Sequence, residues 1–310
     1  MRNVFADEML RLGTADPRVV LLSGDIGNRL FDRFRDACPG RFVNCGIAEA
    51  NMMGVAAGMA LSGMRPVVYT IAPFTTTRCL EQIRVDACYN HAPVVIVGTG
   101  AGLSYAELGA THHSCEDIAV LRALPGMTVF CPCDPVELRA GLRAAMAHDG
   151  PVYVRLGKKG EPAIHSEPLT FRLGRANTVR DGADVCLIAT GTLMPEVLRA
   201  ADLLAAAGIA ARVESFHTVK PLDRARLDEI FSTYAVVGTV EEHSRIGGLY
   251  GAVAEWLADR ALPAPPRLLG FAVDDVFLHE VGSQAYARGR FGLTAEAIAD
   301  RMRQAAESGG

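Results

Sequence analysis

Five short apolar runs limit what this chain can become. RVVLLSGD (18–25), PVVIVGTG (93–100), PVYVRL (151–156), DVCLIATG (184–191) and YAVVGTVEEH (234–243) are nearly continuous in hydrophobicity rather than alternating. Strands of that kind are buried on both faces, as in a parallel sheet covered by helices. The intervening segments carry helical patterns: 3–12, 49–61, 76–89, 116–124, 134–148, 195–208 and 247–262. Pro66–Thr70 and MTVFCP add strands, and Asp134 is placed to N-cap the helix that follows it. Strand and helix in alternation predict an α/β fold with a mostly parallel sheet. The order breaks at 161–183, which is polar and punctuated by Gly, Pro and charge. It reads as a linker with a short strand or two. The expected organisation is a first domain over 1–160, the linker 161–183, and a smaller α/β domain over 184–310, with a frayed C-terminal tail.

Composition excludes several classes. The 310 residues include 31 basic and 35 acidic ones, a net charge of -4, with no basic run. This is not a nucleic-acid footprint. No apolar run reaches about 18 residues and no signal peptide is evident, so a cytoplasmic, non-membrane chain is expected. The eight cysteines lie mostly in apolar contexts. Cys131-Pro-Cys133 lacks the usual zinc spacing, and reduced, buried thiols are expected.

One carboxylate interrupts an otherwise apolar, small-residue stretch: Glu49 in FVNCGIAEANMMGVAAGMALSG, 42–63. On the residues alone, Glu49 is either a first-turn acid favoured by the helix macrodipole or a buried carboxylate that needs a specific partner. The pattern IAEANMMGVAAGMALSG resembles the pyrimidine-binding segment of transketolases, 1-deoxyxylulose-phosphate synthases and the beta chains of 2-oxoacid dehydrogenases, all of which use thiamine diphosphate. The resemblance spans nearly the whole chain, with several blocks in order. It implies a pyrimidine-binding domain followed by a transketolase C-terminal domain. It also implies that Glu49 hydrogen-bonds N1′ of the aminopyrimidine, promoting the tautomer that activates thiazolium C2.

Further site residues follow from the same resemblance. In YTIAPFTTTRCLEQIRVD, 69–86, ungapped alignment puts Thr75 at the family's stacking phenylalanine. Phe74, one position earlier, is the expected stack; its alternative is a core anchor. Arg78 and Glu81 are spaced to pair across one helical turn. The glycine-rich GTGAGLSYAELGATHHSCED, 98–117, resembles the DGPTHQ segment. His112 matches the active-site histidine, His113 replaces glutamine, Leu108 replaces an aspartate, and Gly100 stands where many transketolases have histidine. Tyr105 is a further candidate contact. A His/His pair with Glu116 and Asp117 is not diagnostic of metal. Arg155 and Lys158 in GPVYVRLGKKG, with Arg2, offer a handle for an anionic substrate; lysine lacks arginine's planar fork. A solvated basic loop is the alternative.

SGDIGN, 23–28, precedes the IAE block and is not the family's metal and diphosphate motif. The resemblance therefore implies a split enzyme. An alpha-like partner chain would supply the diphosphate domain and Mg2+ or another divalent cation, in an α2β2 assembly with the active site between chains. The expected activity is transfer of a two-carbon ketol unit from a ketose, phosphorylated or otherwise anionic, to an aldehyde. The alternatives are a decarboxylating enzyme, like the synthases or dehydrogenase beta chains, or a noncatalytic scaffold. The second-domain blocks ATG, FHTVKPLD and VEEHSRIGGLYGAVAE resemble the shared C-terminal domain. His217, His243 and the His279-Glu280 pair have no assigned role.

Overall fold

A computed structural model describes residues 1–26, 29–260 and 265–308. Among the described residues, twelve strands form two sheets. In chain order they are β1 (Val19–Ser23), β2 (Phe42–Asn44), β3 (Arg65–Ile71), β4 (Val95–Thr99), β5 (Thr128–Phe130), β6 (Val152–Arg155), β7 (Asn177–Arg180), β8 (Val185–Ala189), β9 (Ala211–Ser215), β10 (Thr218–Lys220), β11 (Val236–Ser244) and β12 (Arg267–Val273). The first sheet has the order β10-β5-β6-β4-β3-β1-β2 and the second β12-β11-β8-β9-β7. All pairings are parallel except β10 with β5 and β7 with β9.

The five apolar runs are strands β1, β4, β6, β8 and β11, and all but the last residue of β11 are buried. Helices cover both faces of the first sheet. Helix Glu49–Leu61 packs Met52, Met53, Ala56, Ala57 and Ala60 into the core on one side. Helices Arg2–Ala15 and Pro135–Ala147 cover the other. The expected N-cap is present: the Asp134 carboxylate accepts a 2.7 Å hydrogen bond from the Glu137 amide.

Two local features depart from the sequence reading. The expected helix over 76–89 is broken into short turns and ends in a π-helix, Ile83–Tyr89. Segment 161–183 carries one short strand, in keeping with its reading as a linker with a short strand or two: β7, an antiparallel edge strand of the second sheet. Most informative is β10, which leaves the second sheet only two residues after β9 and closes the edge of the first. Sheet membership therefore crosses the expected domain boundary, and the two halves share a continuous buried seam. The charged helix before the C-terminal SGG runs to Glu307, and 309–310 of the tail expected to fray lie outside the described residues.

Candidate active site

The C-terminal ends of the parallel strands of an open α/β sheet are where ligand-binding loops gather. Here the loops after β3 and β4 meet the start of helix Glu49–Leu61. Glu49 is 4 % exposed, and its Oε1 accepts a 2.9 Å hydrogen bond from Arg78 Nη1. The guanidinium carbon of Arg78 lies 3.9 Å from the centroid of the Phe74 ring. Phe74 in turn meets His112 edge-on, with ring centroids 5.4 Å apart. Tyr105 continues the string 6.3 Å from His112, and Lys158 Nζ lies 4.9 Å from the Tyr105 centroid. Sequence-distant residues thus form one connected rim: Glu49, Arg78, Phe74, His112, Tyr105 and Lys158.

The short turn after β3 decides which aromatic is presented. Thr75 is buried, and its hydroxyl donates to the Ala72 carbonyl at 3.1 Å. That leaves Phe74 as the half-exposed ring. Arg78 does not pair with Glu81, as its spacing predicted. It reaches Glu49, while Glu81 pairs with Arg84 at 3.7 Å. Helical spacing states only which neighbour is available; a buried carboxylate without another cation is the stronger attractor.

Loop 98–117 is pinned at its base. Gly102 and Ser114 exchange backbone hydrogen bonds at 2.9 Å, closing the loop on itself. The Leu103 amide donates to Glu242 Oε1 at 2.7 Å. Gln284 Nε2 donates to the same carboxylate at 2.9 Å and to Ser104 Oγ at 3.4 Å, and Arg288 also pairs with Glu242. Gly100 has φ +71°, and a Cβ there would lie 1.8 Å from Tyr105 Cε2. The volume that a histidine at 100 would need is filled by the Tyr105 ring.

Two expected site residues are placed elsewhere. Arg155 is 5 % exposed. It donates to Asp117 Oδ2 at 2.8 Å and to the carbonyls of Ser114 and Glu242 at 2.9 and 3.0 Å. Its donors face the seam between the sheets, so it is a structural cation rather than a substrate handle. Burial pushes the Asp117 carboxyl up, but Arg155, His243 and the hydrogen bonds from Arg155 and Tyr153 outweigh it and hold it below the usual range. His113 does not share the surroundings of His112. It is 8 % exposed and lines a cavity of about 270 Å³ with Leu103, Cys115, Ser244, Val273 and Leu278. Burial lowers its pKa, and the Ala106 carbonyl only partly offsets this. His113 turns inward, while His112 stays on the turn in which its amide donates to the Gly109 carbonyl at 3.0 Å.

Lys158 is partly exposed and pairs with Glu107. Burial and the charges of Lys159 and Arg2 lower its pKa, which places Arg2 in the same electrostatic neighbourhood. Arg2 Nε is buried without a hydrogen-bond partner. Leu108 is 49 % exposed on the short 3-10 turn that carries Glu107. His217 and His243 are fully buried, and Glu280 pairs with Arg290 at the surface. The Gly27 and Asn28 ends of SGDIGN lie outside the described residues.

At the strand ends of this doubly covered parallel sheet stand a buried carboxylate at a helix start, an aromatic beside it and a pinned histidine loop. The profile described as transketolase, pyrimidine binding domain, matches residues 1–161, and that described as transketolase, C-terminal domain, matches 174–298. The chain belongs to the transketolase C-terminal section family of split transketolases, related to 1-deoxyxylulose-phosphate synthases and 2-oxoacid dehydrogenase beta chains. It is 42 % identical over 300 residues to the 6-deoxy-6-sulfo-D-fructose transketolase subunit SqwH of Clostridium sp. (strain MSTE9), covering 96 % of this chain and 92 % of that one. It is 38 % identical over 299 residues to an apulose-4-phosphate transketolase subunit of Phocaeicola vulgatus, covering 96 % and 94 %. A solved split-gene transketolase, described as an inactive beta4 tetramer, superposes with TM-score 0.91 at 38 % identity over 99 % of this chain and 98 % of that one.

Proposed function

We propose that this chain is the pyrimidine-side subunit of a thiamine-diphosphate enzyme that transfers a two-carbon ketol unit from an anion-tailed ketose to an aldehyde. One observation carries the reading. The Arg78 guanidinium, a planar hydrogen-bond donor, already bridges Glu49 and the face of Phe74. An aminopyrimidine needs the same two contacts, a carboxylate at N1′ and an aromatic face. Arg78 is 46 % exposed, with solvent to receive it if a ring displaces it. The residues therefore fit the pyrimidine half of the cofactor. When bound, thiamine diphosphate supplies the carbon nucleophile and electron sink for carbon–carbon cleavage. Glu49 would hold the proton at N1′, Phe74 would orient the ring, and His112, beside Phe74, would exchange a proton with a substrate oxygen. Lys158 and Arg2 supply positive charge for the anionic tail. Two relatives are named for ketoses ending in sulfonate or phosphate, which supports an anionic tail here.

An alpha-like partner chain completes the site with the diphosphate-binding domain and its divalent cation. Ile47, Val55 and Leu61 are 86, 40 and 59 % exposed, and Tyr89 is 84 % exposed, around the outer side of helix Glu49–Leu61. An apolar surface of this kind suits a permanent subunit contact, and an α2β2 assembly is proposed. The solved relative described as an inactive beta4 tetramer supports dependence on a partner.

Mixing the chain with such a partner, thiamine diphosphate and Mg2+ is expected to give ketol transfer without carbon dioxide release. Each chain alone is expected to be nearly inactive. Carbon dioxide released from a 2-oxoacid donor would replace this reading with the decarboxylating one. Unchanged activity in Glu49→Ala would remove Glu49 from the mechanism.

A further inference from the structure

Four side chains without a role in the proposed chemistry converge where the segment after β6 folds back onto the start of helix Pro135–Ala147. Cys133, Asp134, Glu137 and His165 each offer one ligand atom, and the four atoms lie within 4.8 Å of one another. Cys133, Asp134 and Glu137 are fully buried, and the His165 side chain is 7 % exposed. Three of the four are brought together by the helix start itself. The fourth arrives from 32 residues beyond Cys133, which is why local spacing around Cys131-Pro-Cys133 carries no metal signal.

The separations suit a small tetrahedral cation. His165 Nδ1 lies 3.9 Å from Cys133 Sγ and 3.4 Å from Asp134 Oδ2. Metal–sulfur and metal–nitrogen or –oxygen bonds of about 2.3 and 2.0–2.1 Å give ligand–ligand edges of roughly 3.4–3.6 Å. The carboxylates are fixed from behind. Asp134 accepts from the amides of Glu137, Ile164 and His165 at 2.7, 2.7 and 2.8 Å. Glu137 accepts from the Cys133 amide at 2.9 Å and from Asn177 Nδ2 at 3.2 Å. Such outer hydrogen bonds orient metal ligands. The other ring nitrogen, His165 Nε2, is buried, has no hydrogen-bond partner, and lies 3.6 Å from Glu137 Oε1.

Charge points the same way. Among the described residues no lysine or arginine pairs with Asp134 or Glu137, and His165 is the sole side-chain cation within ion-pair distance of either. A divalent cation there would be held by a thiolate, two carboxylates and a neutral imidazole, so binding releases protons.

We propose that Cys133, Asp134, Glu137 and His165 bind one borderline divalent cation of the zinc class, which fastens the segment around His165 to the start of helix Pro135–Ala147. The mixed sulfur, nitrogen and oxygen set favours Zn2+ over Mg2+ or Ca2+. The test uses the full chain, stripped with chelator and titrated with Co2+ and then Zn2+, without partner or cofactor. Expected results are one Co2+ per chain, an intense near-ultraviolet sulfur-to-cobalt band, proton release on binding, and displacement by Zn2+. Cys133→Ser should abolish the band, and His165→Gln should weaken affinity at least about tenfold. Less than one cation bound by the wild-type chain at micromolar free Co2+ and Zn2+ overturns the proposal, leaving a buried imidazolium–carboxylate cluster. A sulfur-to-cobalt band that persists in folded Cys133→Ser also overturns it. The wild-type titration decides the matter if a variant fails to fold. The readout does not depend on Glu49 or on ketol transfer, so failure here and failure of the proposed function are separable.

Discussion

Arg155 and Lys158 lie three residues apart and read alike in sequence, yet they belong to opposite kinds of region. Arg155 joins the seam between the two sheets, where Asp117, Tyr153, Glu242, Gln284 and Arg288 are buried or nearly so and hydrogen-bonded to one another or to backbone. Lys158 joins the rim that begins at Glu49, where the arginine and lysine are partly exposed and each contact is exchangeable. Both are chains of charged and aromatic groups. The seam has committed its hydrogen-bonding capacity to the fold, whereas the rim keeps groups that a ligand can claim.

Substitutions can break or sharpen this contrast. The largest expected effect is on the rim. Glu49→Gln should lower kcat of the assembled enzyme by about 10²–10⁴-fold while leaving thermal unfolding of the chain nearly unchanged. A comparable loss of stability would move Glu49 to the seam class. The converse is expected of Asp117→Asn, which strands Arg155 in a buried site. It should destabilise by about 3–5 kcal/mol, measured by urea unfolding, and affect activity only through the folded fraction.

A third test concerns pH. Burial raises Glu241 to about 7, against hydrogen bonds from the Leu249 and Tyr250 amides, and burial lowers the neighbouring His243 to about 4. Their side chains approach to 3.8 Å, and Asp117 and Arg155 also act on His243. A carboxyl raised above its unfolded value loses its stabilising contribution as pH rises from about 4.5 to 7. A histidine lowered below its unfolded value does the reverse: its contribution is present above about 6.5 and lost as pH falls toward 4. The two slopes oppose each other in the wild type. Glu241→Gln removes the first and should expose the second, making the variant more acid-sensitive between pH 6.5 and 4. The change is on the order of 3 kcal/mol at most, by 1.36 kcal/mol per pKa unit, and denaturant midpoints at several pH values would measure it. A variant with no steeper acid loss would show that His243 does not titrate alone.

The smallest effect is expected at Lys158. Lys158→Ala should raise KM for an anion-tailed ketose about tenfold, as for one hydrogen bond to a charged group, with kcat and stability little changed. An equal effect on a neutral donor would remove the anion role.

Much of the fold is legible because doubly buried strands leave an unmistakable pattern of continuous apolar runs. Helix Glu49–Leu61 matches its expected span, and the Asp134 cap is where its side chain predicts. The π-helix and the crossing of β10 are not legible. Both depend on packing against elements distant in sequence. At the site, Glu49, Phe74, His112 and Tyr105 stand along one rim, linked by Arg78. Arg78 takes Glu49 rather than the Glu81 that its spacing offers, and the seam residues Glu242, Gln284 and Arg288 carry no local signal. A string of acids at the end of a strand looks the same whether it faces solvent or pins a loop 139 residues away.

By itself the sequence determined the α/β class, the family and the placing of a carboxylate at the head of a small-residue helix. Those follow from periodicity and from motifs whose meaning is local. Tertiary structure decided which charges are structural and which remain available. It buried Arg155 and left Lys158 partly exposed, turned His113 inward while His112 joined the rim, and gave Glu49 to Arg78. The reason is that a charged group's role is set by its desolvation and its partners, and both are properties of the assembled neighbourhood rather than of the chain.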